Sequence, residues 1–181
     1  MHQFSILDDI AQKKTFPGIV TDKARRKHSD RKILLEKASL GFEFVDLDLH
    51  AESMRDELRE ITANGAEVIT SFHDSSRTPS ASELKRILRL AKIKGGDIYK
   101  VVTMAKAPKD NLTILSFLDA SSRHDRIVSF AMGRIGIPSR ILSPLFGAEF
   151  TFAGLKGQSS TAPGQLSIDN LRSLWNTLDL Q

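Results

Sequence analysis

Lys100 stands inside an apolar run, Asp97-Ile98-Tyr99-Lys100-Val101-Val102-Thr103-Met104. Burying an ammonium in such a strand is costly unless it is paired or loses its proton. A desolvated lysine has a lowered pKa, and a neutral buried amine is what carbonyl chemistry through a Schiff base requires. The alternative is a lysine at a strand end that snorkels to water. His73, in Ser71-Phe72-His73-Asp74, is either a hydrogen-bonded strand cap or a proton shuttle beside an imine-forming lysine. Arg140, after Pro138-Ser139, either caps a helix or offers a carboxylate its forked pair of donors. Thr161-Ala162-Pro163-Gly164-Gln165 has the chemistry of a surface turn; it also suits a lid whose Gln165 reaches a ligand.

These groups need elements to hold them. Short apolar runs predict six strands: residues 18–21, 44–49, 68–72, 98–102, 127–131 and 150–153. Several are continuous rather than alternating, as in parallel strands covered on both faces. Helical patterns lie between them. Pro79-Ser80-Ala81-Ser82-Glu83 is a capping signature, with Leu84, Ile87, Leu88 and Ala91 on one face of the helix that follows. Residues 51–63 form a helix stopped by Asn64-Gly65. Asp110 can cap the helix carrying Leu112, Leu115 and Leu118. Ser167 caps a last helix whose buried stripe is Leu171, Leu174, Trp175 and Leu178, with Trp175 read as simple packing.

Strand then helix, repeated, predicts an α/β protein with a parallel sheet, in a barrel or an open form. No glycine-rich phosphate loop follows the first strand, which disfavours a nucleotide-binding open sheet. Polar groups recur toward the carboxyl ends of the strands: Thr21, Asp46 and Asp48, His73, Lys100, then Met132 after the fifth. In a barrel that rim carries the active site.

Composition sets the outer limits. The chain of 181 residues suffices for one domain with a core. No run approaches the roughly 18 apolar residues of a membrane span, and no signal peptide opens the chain. With no cysteine, disulfides and thiolate metal sites are excluded, as expected of an intracellular protein in the cytoplasm or nucleus. The net charge of +4 is partly local, because Lys23, Arg25, Arg26, Lys27, Arg31 and Lys32 crowd together. That run reads as a solvated loop, a phosphate site or an import signal; without interleaved aromatics it does not support base stacking.

Taken together the motifs resemble the type I 3-dehydroquinate dehydratase family. The matching stretches are Phe44-Val45-Asp46-Leu47-Asp48, Ser71-Phe72-His73-Asp74, Asp97-Ile98-Tyr99-Lys100 with Met104-Ala105-Lys106, Met132-Gly133 through Ser139-Arg140-Ile141-Leu142, and Ala162-Pro163-Gly164-Gln165-Leu166. They occur in family order over residues 12 to 181. The resemblance implies a TIM-type (β/α) barrel, here incomplete, with about six of eight βα units and the first two missing. It implies Lys100 as imine former and His73 as proton carrier. It implies Arg140 on the ring carboxylate, Met132 lining the pocket, and Thr161 with Gln165 closing a lid. Asp48 stands where glutamate is common. The ligand would be 3-dehydroquinate or a related cyclic carboxylate, with no metal and no diffusible cofactor.

The departures carry a second expectation. The Glu-(Leu or Ile)-Arg-x-Asp motif of the family is missing. Lys23 stands at an arginine position, Lys27 at an acid or amide position, and Ser75 at a common aromatic one. An incomplete barrel would expose strand edges, so the N-terminal segment, a second copy in a homodimer, flanking domains or other parts of a longer chain would cover them, with residues 1–181 as one domain. From these losses the sequence predicts weak or lost catalysis and a regulatory or binding role, like the related region of the fungal quinate-pathway repressor, with an activator as protein partner. The alternative is an active dehydratase, favoured by the retained Lys100, His73, Arg140 and Gln165.

Overall fold

The computed structural model describes residues 10–22, 35–36, 38, 41–51, 54–155 and 162–179. Five strands form a parallel α/β sheet in chain order: β1 (Ile19–Asp22), β2 (Phe44–Asp48), β3 (Glu67–His73), β4 (Ile98–Met104) and β5 (Ile127–Met132). The helices between and after them are α1 (Met54–Ala63), α2 (Ala81–Lys94), α3 (Lys109–Ser122), α4 (Ile137–Leu142) and α5 (Ile168–Thr177). Among the described residues no helix is long and apolar enough to cross a membrane.

The chain divides into two compact units: Met1–Phe72 with Arg89–Tyr99, and His73–Leu88 with Lys100–Gln181. In the first, β1, β2 and β3 pair in register from Ile19 opposite Phe44 and from Phe44 opposite Glu67. The core here gathers Val20, Val45, Leu47, Met54, Ile61 and Val68. Each sits at a position where period-two or helical spacing places apolar side chains inward. Glu43 ties the entry to β1: one carboxylate oxygen pairs with Lys14 and the other accepts from Gly18 N at 2.7 Å. The side-chain hydrogen bond from Lys14, then that from Gly18 N, lowers the Glu43 carboxyl to about 2.

In the second unit, α3 packs on β5 and buries Ile114, Leu115, Phe117 and Leu118. The predicted capping box at α2 forms. Ser80 N and Oγ both donate to Glu83 Oε2 at 2.8 Å, and Glu83 N reaches Ser80 Oγ at 3.4 Å. Ser167 Oγ caps α5 by accepting from Asn170 N at 3.2 Å.

Two expectations are corrected. The sixth run, residues 150–153, is not a strand: its carbonyl at Phe152 is taken by the Arg140 side chain instead of a ladder. On α5 only Leu171 is fully buried; Leu174 and Leu178 are exposed, and Trp175 is half-buried with Nε1 donating to Ile141 O at 2.9 Å. The indole thus has a polar anchor as well as a packing role.

Candidate active site

Lys100 is the third residue of β4 and is only 7% exposed. Its Nζ lies 4.5 Å from the ring centroid of Phe152. Phe152 is tilted against Phe130 at 6.2 Å and meets Phe150 edge-on at 5.5 Å. Phe130 in turn carries Arg140, whose guanidinium carbon is 4.2 Å from the ring centroid. One aromatic cluster therefore holds the Lys100 amine nitrogen and the Arg140 guanidinium, each against a negative ring face.

Arg140 is 1% exposed and is among the largest fully buried side chains. Its Nη1 donates to Phe152 O at 3.2 Å. Among the described residues Nε and Nη2 have no hydrogen-bond partner. Burial lowers the guanidinium well below its ordinary value, to about 10. Two buried, parallel-facing donors without acceptors are costly, and a planar carboxylate is the partner that matches them.

Local structure fixes Arg140 in place. Ser139, the residue before it, is fully buried; its Oγ accepts from Ala131 N at 2.9 Å and donates to Gly136 O at 2.8 Å. Ser139 N donates to Asn111 Oδ1, and Asn111 Nδ2 donates to Ile135 O at 2.8 Å. The Arg140 carbonyl accepts from the Ser143 and Thr151 hydroxyls. So α4 is bolted to the end of β5 through side chains of α3 and of its own first turn.

His73 is the last residue of β3 and is exposed. The next residue registers this strand end against β4: Asp74 N donates to Val102 O at 2.9 Å, two positions beyond Lys100. Asp74 Oδ1 then accepts from Ser76 N, Ser76 Oγ and Arg77 N. Burial alone would raise the Asp74 carboxyl, but these hydrogen bonds outweigh it and lower its pKa. Arg77 forms a fork on Glu83, at 2.6 and 3.1 Å, and Thr78 Oγ1 donates to Met104 O at 3.0 Å. The loop after His73 is therefore pinned between α2 and the end of β4.

Met132 ends β5, is 9% exposed, and accepts from Ala105 N through its carbonyl at 3.1 Å. Gln165 closes a turn, its N–H donating to Ala162 O at 3.1 Å. That turn seats on the residue after Met132: Gly133 N donates to Pro163 O at 3.0 Å. Gly164 has φ +73°, and a Cβ there would lie 2.4 Å from Gly133 O, so only glycine fits both the conformation and the contact. The turn that the sequence offered as surface or lid is docked at the carboxyl end of β5.

Lys100, Arg140, Met132, Gln165 and His73 thus all belong to the second unit. Asp48 belongs to the first; it ends β2, and its Oδ1 accepts from His50 N at 2.8 Å. Thr161, Lys23, Lys27 and the rest of the basic run lie outside the described residues. Among the described residues no three His, Asp or Glu side chains are placed to share a metal ion. A groove of about 520 Å³ in the first unit, lined by Leu58, Arg59, Thr62, Ala63, Gly96 and Asp97, contains none of the expected site residues. Phe130 and Phe152 were missed as site residues, because aromatics in strand-like runs read as core.

Residues 12–181 match the family model described as Type I 3-dehydroquinase. A 3-dehydroquinate dehydratase of Methanocaldococcus jannaschii is 34% identical over 184 residues, spanning 96% of this chain and 82% of that protein. One of Methanosarcina barkeri is 36% identical over 159 residues, 84% of this chain and 66% of that protein. The crystal structure of 3-dehydroquinate dehydratase from Geobacillus kaustophilus matches with a TM-score of 0.88 and 26% identity, over 97% of this chain and 73% of that one. These matches overturn the expectation of a regulatory module with lost catalysis, since the relatives named are dehydratases. Two of the replacements behind that expectation, Lys23 and Lys27, lie outside the described residues, while Lys100 and Arg140 are both buried.

Proposed function

The chain belongs to the type I 3-dehydroquinase family, and from that premise we propose that it is a 3-dehydroquinate dehydratase working through a Schiff base on Lys100. The observation that carries this reading is the buried Arg140 fork, its Nε and Nη2 without partners among the described residues, on the same aromatic cluster as the Lys100 amine. A substrate with one carboxylate and one ketone satisfies both groups at once. We take the sheet to be part of a (β/α) barrel, whose carboxyl-end rim is where such groups converge.

In this reading Arg140 binds the ring carboxylate and sets the ring's orientation. The neutral amine of Lys100 adds to the ketone, and water leaves to give the protonated imine. That cation withdraws electrons from the adjacent carbon, which gives up a proton. The enamine then expels the β-hydroxyl as a second water, His73 supplying and receiving the protons. Hydrolysis of the imine consumes one water and frees 3-dehydroshikimate and the amine, so the net reaction is loss of one water. Met132 lines the apolar side of the ring, and Gln165 in its docked turn reaches the ligand.

Incubation with 3-dehydroquinate followed by borohydride, read by peptide mass spectrometry, tests this. The expected result is a reduced adduct on Lys100 together with turnover, both lost in Lys100→Met. Turnover that persists in Lys100→Met refutes the imine mechanism, and an adduct without turnover refutes the dehydratase.

A further inference from the structure

We propose that Phe152 is a positioning residue for Lys100, its ring face holding the amine and favouring the cationic imine over the neutral one. The inference rests on the imine reading above and adds to it a residue outside the acid, base and nucleophile set.

The ring is held from several directions. Its face meets Lys100 Nζ at 4.5 Å, and its tilt is locked by Phe130 and Phe150. Its carbonyl accepts from Arg140 Nη1. On one side Thr151 Oγ1 donates to Arg140 O at 3.3 Å; on the other Gly154 N donates to Leu166 O at 2.8 Å. The segment thus gives up its place as a strand and becomes a bracket for a single aromatic ring.

A ring face attracts a cation and is indifferent to a neutral amine or imine. Lys100 passes between such states: neutral when it attacks, cationic when the imine acts as electron sink. An interaction made only with the cation stabilises the form that accelerates proton loss. The ring already stands 4.5 Å from the resting Nζ, so the cationic imine forms against a face that need not move.

Fluorinated phenylalanines at position 152 separate this from packing. Fluorine drains charge from the ring face with little change in volume. The full chain carrying phenylalanine or its mono-, di- or trifluoro forms would be incubated at one pH with 3-dehydroquinate and, separately, with pyruvate. Borohydride would then reduce the C=N bond to a secondary amine for quantification on Lys100. The expected result is a stepwise fall in adduct with each fluorine, about 5- to 30-fold across the series for both carbonyls. Phe152→Trp retains the adduct and Phe152→Leu loses it. Equal yields across the fluorinated series overturn the proposal. A falling series without dehydroquinate turnover removes the dehydratase reading alone; a flat series with full turnover removes the role of Phe152 alone. No adduct from either carbonyl in the unsubstituted protein removes both.

Discussion

Replacing Arg140 by methionine separates binding from stability. Burial lowers this guanidinium to about 10, some two and a half decades below an ordinary arginine. At about 1.4 kcal/mol per decade, the cost of keeping the charge inside is about 3 kcal/mol. The sign places that cost at working pH. A cationic group with depressed folded pKa carries the full penalty below that pKa, and relief comes only as pH rises toward the unfolded value. Against the penalty stand one hydrogen bond from charged Nη1 to Phe152 O, about 1.5–3 kcal/mol, and the stacking on Phe130, about 0.5–2 kcal/mol. Methionine keeps much of the volume. The two sides nearly cancel, so Arg140→Met should shift unfolding by less than about 1–2 kcal/mol, or roughly 5 °C in Tm. Truncating a comparably buried apolar residue, as in Ile114→Ala, should cost about 2–5 kcal/mol. Binding behaves oppositely. Loss of the fork should cost about 2–5 kcal/mol of carboxylate recognition, a 30- to several-thousand-fold fall in kcat/KM for 3-dehydroquinate. Calorimetry and steady-state kinetics on one preparation decide it. A destabilisation beyond about 3 kcal/mol, or activity within threefold of the parent, would refute the reasoning, because the buried fork would then be structural.

Three further outcomes follow from the same geometry. Ser139→Ala leaves Ala131 N without its buried acceptor and should cost about 1–3 kcal/mol, read as a Tm drop of roughly 3–10 °C with KM rising more than kcat falls. Gly164→Ala puts a Cβ against Gly133 O at a positive φ; the displaced turn should raise KM and cost about 1–3 kcal/mol of stability by denaturant unfolding, while borohydride trapping on Lys100 survives at saturating substrate. Glu43, lowered to about 2 by Lys14 and Gly18 N, contributes stability that is present above the ordinary glutamate pKa and is lost as pH falls toward 2. Acid unfolding of Glu43→Gln should lack that component, and salt should shrink it in the parent.

The strand–helix alternation was legible because its cause is local. Five of the six apolar runs became strands within two residues of their expected ends, and Ser80 with Glu83 formed the cap that their spacing implied. Lys100 could be singled out because a charge in an apolar run is anomalous whatever surrounds it, and the family likeness followed from motifs in order. Other features depended on chain segments far apart in sequence. Residues 150–153 have the composition of a strand, yet Arg140 claims the Phe152 carbonyl and turns the segment into a bracket. Leu174 and Leu178 fit a helical stripe, but a stripe is buried only where something packs on it. The Pro163-Gly164 turn became part of the site's frame only through its contact with Gly133. Composition and spacing thus singled out candidate residues for chemistry. The tertiary structure alone decided that Lys100 and Arg140 share one aromatic cluster, because that depends on how β4, β5 and the chain after α4 pack together.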